Sequence, residues 1–489
     1  MASSSSVSSF HLLLLFITIS LQQLPSSSSM VFLPLTHTLS KSKTPDIHHL
    51  LKTSSLHSSS RFRRQRHRRE ISLPLSPGSD YLLSLSLGQH PSRTIDLYMD
   101  TGSDLVWSPC APFECILCEG KPDVSPDFHP PNISSNAFVP CNSAACSAAH
   151  SALPSSDLCA VSGCPLETIE TGDCAAFRCP NFYYAYGDGS LVAGLRSDRL
   201  SIQSTEPTTP LLHLPNFTFG CAHTALAEPV GVAGFGRGIL SLPAQLAAFA
   251  PTLGNRFSYC LISHSFDTTR LRRPSPLILG RSSVQYDDQS GEFIYTPMLD
   301  NPKHPYFYSV ALEAVSIAGK RLPATRDLRR IDGKGNGGMV VDSGTTFTIL
   351  PAGMYGSLSR EFDLRMGRNY ERATRAEEEM GMGLCYYSDD GKAHVPKLVL
   401  HFGGNASVAL PSRNYFLGFD REEGGQKRKV GCLMMMNGGD DSDGSGGGPS
   451  ATLGNYQQQG FEVVYDLERR RVGFARRRCA QLWDTLSRG

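Results

Sequence analysis

Residues 94–110 read Thr-Ile-Asp-Leu-Tyr-Met-Asp-Thr-Gly-Ser-Asp-Leu-Val-Trp-Ser-Pro-Cys, and the reading of this stretch decides the fold. Ile95, Leu97 and Met99 fall on one side of a period-2 pattern, the mark of a half-buried strand. That strand delivers Asp100 into a Thr-Gly-Ser turn, and a second apolar run, Leu105-Val106-Trp107, follows. A carboxylate at a strand end beside hydroxyls and a glycine suits catalysis, but one such tetrapeptide taken alone favours an ordinary Asx turn. The rest of the chain has to decide.

Working outward, Tyr81 to Gly88 alternates Leu83, Leu85 and Leu87 with serines and reads as a neighbouring strand. Phe182 to Ser190 is an aromatic strand entering a Gly-Asp-Gly turn, one arm of a β-hairpin with Tyr186 near its tip. Ser241 to Phe249 is a short helix candidate, and Arg256 to Cys260 another strand. The second half repeats the plan. An apolar run from Gly338 ends in Asp342-Ser-Gly-Thr, 242 positions after Asp100. A helix candidate follows with Tyr355, Leu358 and Phe362 on one face, then strands at Val395 to Phe402, Phe461 to Tyr465 and Arg471 to Ala475. Each Asp loop is also followed by a Gly element, Val232-Ala233-Gly234 and Thr452-Leu453-Gly454, the second less strictly apolar. A duplicated Asp loop with a duplicated Gly element is far harder to dismiss than one turn. Residues 366–382, dense in charge, and 437–448, rich in Gly, Asp and Ser, read as flexible inserts.

The 489 residues are 40% hydrophobic, with 45 glycines, 32 prolines and no dominant helical periodicity, which favours a strand-and-turn protein of two or three domain-sized units. All 14 cysteines lie at or after Cys110. Nine of them crowd into residues 110–179: Cys110, Cys115, Cys118, Cys141, Cys146, Cys159, Cys164, Cys174 and Cys179. That stretch has a poor apolar pattern, so cross-links are expected to hold it. With Cys221, Cys260, Cys385, Cys432 and Cys479 the count is even, consistent with up to seven disulfides and no free thiol in an oxidising compartment. Cys115-x-x-Cys118 lacks the second pair that zinc spacing requires, so disulfides are favoured over metal, and no cofactor is expected.

The first seventy residues read as processing segments. Phe10 to Leu21 is too short to span a bilayer comfortably but suits the apolar core of a secretory signal peptide, although no Lys or Arg precedes it. The Ser-rich, acid-poor start leaves an organelle transit peptide as the competing reading. Residues 1–70 hold nine Lys or Arg and two Asp or Glu, ending in the basic run Arg61 to Glu70, whereas the remainder holds 37 and 43. A basic leader on an acidic body suits a masking propeptide; a disordered leader that touches nothing is the plainer alternative. The acidic body also argues against a nucleic-acid binder, which would rest on the Arg run alone. Sequons at Asn132, Asn216 and Asn405 fit the secretory route. No later apolar stretch is long enough to span a membrane, and the last residues carry no hydrophobic anchor signal, so the mature protein is expected to be soluble, with no membrane anchor.

Together these residues resemble the pepsin-like aspartic proteases, and within them the plant nepenthesin-like branch. The resemblance covers residues 79–478. It rests on Asp-Thr-Gly-Ser-Asp-Leu-Val-Trp, Tyr-Gly-Asp-Gly-Ser, Gly-Phe-Gly-Arg-Gly, Phe-Ser-Tyr-Cys, Asp-Ser-Gly-Thr-Thr and Gly-Asn-Tyr-Gln-Gln-Gln-Gly-Phe-Glu-Val-Val-Tyr-Asp. It implies an all-β, bilobal fold with a few short helices, each lobe giving one Asp to a cleft between them. On that pattern 1–24 is a signal peptide, 25–70 a basic propeptide, 71–265 the N-terminal lobe with a Cys-rich insertion at about 110–179, and 266–489 the C-terminal lobe.

The chemistry explains the residue types. Two carboxylates held close cannot both ionise easily, so the pair shares one proton and titrates as a unit. One oxygen then accepts a proton from a water while the other carboxyl donates to the scissile carbonyl. By resemblance Asp100 and Asp342 fill these roles. Gly102 and Gly344 let backbone amides approach the carboxylates, Thr101 and Ser343 cross-link the loops through their hydroxyls, and Ser103 and Thr345 bond the outer carboxylate oxygens. Tyr186, followed by Gly187, looks like the flap tyrosine that closes over substrate. Trp107 resembles the tryptophan that partners it, a buried apolar anchor being the equal alternative. The resemblance also pairs Cys385 with Cys432 and Cys260 with Cys479, and leaves the insertion's pairing open.

What the resemblance implies is a secreted acid endopeptidase made as a zymogen, monomeric, with protein or peptide substrates and its own propeptide as partners. The expected destination is the apoplast or cell wall, with the vacuole as the other. The rival is a catalytically silent binding protein of the same fold, like the plant inhibitors of cell-wall glycanases. Retention of both Asp residues, both hydroxyl neighbours and Tyr186 favours the enzyme.

Overall fold

The structure is a computed structural model and describes residues 30–41, 47–66, 80–88, 93–118, 138–186, 189–202, 212–250, 253, 255–280, 292–388, 393–423, 425–439 and 448–488. The signal-peptide span, Asn132, Gly187 and the side chain of Tyr186 lie outside the described residues.

Both Asp loops sit in the same local construction. Strand Arg93–Asp100 pairs antiparallel with Tyr81–Leu87 and runs parallel to Gly231–Gly234, which brings Asp100 level with Gly234. Past the loop, Trp107 pairs antiparallel with Val232, so the Gly strand is threaded between the two arms of the Asp loop. In the second half Met339–Val341 runs parallel to Ala451–Leu453, while Ile349 pairs antiparallel with Thr452. Ile95, Leu97 and Met99 are buried in one core with Leu83, Leu85 and Leu87, as their alternation requires.

An antiparallel sheet lies beneath and joins the two halves. Its order is Ser275–Leu279, Arg256–Cys260, Phe461–Asp466, Arg471–Arg476, Ile294–Leu299. Helices are short and peripheral: Leu242–Phe249 is capped by the Ser241 hydroxyl, and Ala352–Met366 buries Tyr355, Leu358 and Phe362. The architecture is the all-β, pepsin-like bilobal fold.

The leader is folded onto this body. Strand Val31–His37 pairs with Ser275–Leu279 on one side and Tyr81–Leu87 on the other, extending the joining sheet. Helix Ile47–Arg66 buries Leu51 and Phe62 in a cluster with Phe347, Ile349, Met380 and Met436. Its described contacts include this apolar cluster and a hydrogen bond from Ser55 Oγ to Met380 O at 3.1 Å. The side chains of Arg61 and of residues 63–66, on which the charge-masking idea rested, lie outside the described residues.

Two expectations are corrected. Residues 366–382 are not a flexible insert: Thr374–Met380 is a helix whose Ala376 and Met380 are buried. The charge density is consumed by internal pairs, Arg372 with Glu377 at 2.8 Å, Arg375 with Glu379 at 3.2 Å and Arg421 with Glu379 at 2.8 Å. Nor are all 14 cysteines bridged. The disulfides are Cys110–Cys221, Cys115–Cys118, Cys141–Cys159, Cys146–Cys179, Cys260–Cys479 and Cys385–Cys432, leaving Cys164 and Cys174 as buried thiols. An even count fixes parity, not partners: the sulphurs of Cys141, Cys159, Cys164 and Cys174 all lie within 4.8 Å of one another, so Cys141 meets more than one thiol. Among its described residues the insertion holds three short helices, Ala144–Ala149, Ser155–Val161 and Leu166–Thr171, around that sulphur-rich centre. Of the sequons, Asn216 and Asn405 are exposed.

The Cys260–Cys479 bridge joins positions 219 residues apart and ties the C-terminal helix to the joining sheet. Replacing both cysteines by alanine is expected to lower unfolding free energy by about 2–4 kcal/mol, measured by denaturant titration. Unchanged stability would contradict this role.

Candidate active site

The two Asp loops meet through a reciprocal set of hydrogen bonds. Thr101 N donates to Ser343 Oγ at 3.1 Å, and Ser343 N donates to Thr101 Oγ1 at 2.8 Å. Each hydroxyl passes its proton on to the opposite strand: Thr101 Oγ1 to Val341 O at 3.2 Å, Ser343 Oγ to Met99 O at 3.1 Å. Each hydroxyl thus both donates and accepts, and the whole set is buried. This fixes the spacing and orientation of the two loops.

On that frame the carboxylates are set in matching ways. Gly102 N donates to Asp100 Oδ1 at 2.9 Å and Gly344 N to Asp342 Oδ1 at 2.8 Å. Thr345 Oγ1 donates to Asp342 Oδ2 at 2.6 Å, the role expected of it. The hydroxyl of Ser103 meets the phenol of Tyr184, whose pKa burial pushes well above its usual range. Asp100 and Asp342 are both buried, at 2% and 0% exposure, so each carboxyl is held away from bulk water.

The downstream glycines are required by contact. A Cβ on Gly234 would lie 2.6 Å from the carbonyl of Leu105, and one on Gly454 would lie 2.5 Å from that of Thr346. At these points the Gly strand and the Asp loop leave no room for a side chain, which explains why the apolar-apolar-Gly element recurs. Asp104 secures the first loop further, accepting from Gly238 N at 2.6 Å. Its pKa is raised to about 6 by burial, against the lowering effect of the Gly238 and Leu240 amides.

Trp107 is buried among Leu105, Phe182, Leu191 and Leu195. The backbone of Tyr186 closes strand Phe182–Tyr186, opposite Gly189. Sequence reasoning missed five participants. Tyr184 lies two residues before Tyr186 on strand Phe182–Tyr186, and that period-2 spacing is the one signal that could have found it. Asn455 bonds Ser343 O at 3.0 Å, and Gln458 bonds Asp342 O at 3.2 Å; nothing local marks them. His57 and Ser58, from the leader helix, face the second loop: His57 Nε2 lies 3.4 Å from Gly344 O, and Phe347 N donates to Ser58 Oγ at 3.1 Å.

Comparison with known proteins follows the same outline. Family models described as xylanase inhibitor N-terminal and xylanase inhibitor C-terminal match residues 81–281 and 307–476. A probable aspartyl protease of Arabidopsis thaliana is 59% identical over 438 residues, covering 85% of this chain and 85% of that protein. The aspartic proteinase nepenthesin-1 of Nepenthes gracilis is 30% identical over 407 residues, covering 82% and 78%. Among solved structures, basic 7S globulin from soybean superposes with a TM-score of 0.58 at 19% identity, covering 93% of this chain and 99% of that one. That last likeness is one of fold.

The reciprocal bonds make a sharp expectation for stability. Thr101→Val or Ser343→Ala each leaves a buried amide without its acceptor and should cost about 1–3 kcal/mol in denaturant titrations. Because the two share one network, the double variant should cost less than the sum of the singles. Strict additivity would show that the loops are not cross-braced.

Proposed function

The chain belongs to the pepsin-like aspartic proteases, in the plant nepenthesin-like branch, and on that footing we propose that it is a secreted aspartic endopeptidase, made as a zymogen and active at acidic pH. The observation that carries the proposal is the pair of loops cross-bonded through Thr101 and Ser343, each presenting an amide-anchored carboxylate. Two such carboxylates share one proton. The ionised member takes a proton from a water as its oxygen attacks the peptide carbonyl carbon, and the protonated member gives its proton to the carbonyl oxygen. The tetrahedral species collapses as the amine leaves with a proton, and the pair returns to its starting state. Fixed amide and hydroxyl donors at the carboxylates need no reorganisation during this cycle.

The zymogen reading draws on the leader. With His57 beside Gly344 O and Ser58 on Phe347 N, the leader helix uses up backbone groups next to Asp342 that an extended peptide substrate would need. Acid release draws on two imidazoles at the leader–body seam. The rings of His37 and His264 meet edge to face at 4.7 Å, with Tyr81 5.0 Å from His37. Both are buried; His37 is held down to about 3 and His264 well below its usual range by desolvation, with His37 lowering and Asp80 and Asp267 raising the latter. Both are therefore neutral while the leader is docked. Docking is at full strength above the ordinary imidazole value of 6.5 and weakens as pH falls from there toward about 3.

A binding-protein reading, in which the chain recognises a cell-wall glycanase without cleaving it, draws on the descriptions of the matched family models. The complete dyad favours the enzyme. Export to the apoplast or vacuole goes with the exposed sequons at Asn216 and Asn405 and the disulfide content.

Acid incubation of the purified precursor should yield a shortened, proteolytically active form, and pepstatin should block its activity. Asp100→Asn and Asp342→Asn should each abolish cleavage with the fold intact, and survival of activity in either sinks the assignment. His37→Gln keeps an acceptor for Leu39 N, at 3.1 Å from His37 Nδ1, but removes the titration. Its conversion midpoint should move to lower pH; an unmoved midpoint removes His37 from the mechanism.

A further inference from the structure

Two sequence motifs, Phe-Ser-Tyr-Cys at 257–260 and Tyr-Gln-Gln-Gln at 456–459, are not absorbed by the dyad or its loops. One polar side chain from each, Tyr259 and Gln458, meets Tyr465 in a fully buried network against the peptide groups of the second Asp loop. Tyr259 donates its phenolic proton to Gln458 Oε1. The Tyr465 phenol lies 2.9 Å from the Tyr259 oxygen and 3.4 Å from Val341 O. The Gln458 amide nitrogen donates to Asp342 O at 3.2 Å and Leu453 O at 2.8 Å. Tyr259, Tyr465 and Gln458 are each 1% exposed or less, so no solvent competes for these bonds.

The direction of the bonds matters. The acceptor oxygen of Asp342 and the N–H of Ser343 belong to one peptide group, and that N–H is the donor to Thr101 Oγ1. A donor on the carbonyl polarises the peptide and strengthens its N–H as a donor. The series therefore runs from Tyr259 through Gln458 and the Asp342–Ser343 peptide to Thr101 Oγ1, then on to Val341 O. The first loop is built differently. There the equivalent carbonyl, Asp100 O, accepts from the main-chain amide of Phe235 at 2.8 Å. In the second loop the corresponding amide, Asn455 N, goes to Thr345 O instead, and a side chain fills the place at Asp342 O. The dyad is symmetric in its loops and asymmetric in what supports them.

We propose that Gln458, oriented by Tyr259 and Tyr465, is a positioning residue for the dyad: it acts through the Asp342–Ser343 peptide on the interloop cross-bond and so on the geometry of the second carboxylate. The inference rests on the proteolytic reading for its catalytic readout. Tyr259→Phe removes the donor that orients Gln458 with no change of volume, and Gln458→Met removes the amide at similar length. On the activated enzyme, Tyr259→Phe should lower kcat about tenfold with KM within about twofold and with a changed pH profile. Hydrogen exchange in residues 342–346 should quicken severalfold in the same variant. Wild-type kcat, KM and pH profile in Tyr259→Phe, with unchanged exchange in 342–346, would overturn the proposal. So would an activity loss that merely tracks the unfolded fraction in both variants. If the wild-type protein itself cleaves nothing, the proteolytic reading falls, and the exchange of 342–346 alone upholds or overturns the positioning role.

Discussion

The structure depends on one interaction, the exchange of amide–hydroxyl hydrogen bonds between Thr101 and Ser343. It joins two loops that are 242 residues apart in sequence, in a site where neither side can turn to water. Much else in the fold serves to deliver those two residues to one place. The parallel pairings bring Asp100 level with Gly234 and Val341 level with Leu453, and the threaded Gly strands leave no space for a side chain. The joining sheet ties both halves to a common floor. A like-charged pair would separate if the loops were free, so on the proposed reading the cross-bond is what would let the pair share a proton.

The leader is part of the same economy of space. Its strand extends the joining sheet and its helix caps an apolar cluster that would otherwise face solvent beside the second loop. On the proposed reading the buried imidazoles at the seam would make this packing contact pH-dependent, because burial favours their neutral form.

Much of this was legible in the sequence because the chemistry requires duplication. Asp100 alone looked like a turn; Asp342 in a matching loop, with matching glycines behind, made a turn explanation untenable. Strand positions such as Leu83 to Leu87 were legible because a half-buried strand writes its register as alternation. What stayed hidden is long-range and polar. Gln458 and Asn455 act through carbonyls that only the fold brings near, and nothing in their neighbours marks them. The helix at 374–380 was masked by its own charge, since pairing partners such as Arg372 and Glu377 look identical to a solvated run until placed. The four sulphurs of the insertion show the same limit, because counting gives parity and only geometry gives partners.

The central claim is that Asp100 and Asp342 act as one coupled pair. The most direct measurement is the pH dependence of kcat/KM for peptide cleavage by the activated protein, set beside the same profile for each Asp→Asn variant. The account predicts a bell with an acidic optimum, whose two limbs belong to the pair, and loss of the whole curve when either residue is changed. A single rise toward neutral pH, or a profile that survives in one variant, would contradict it.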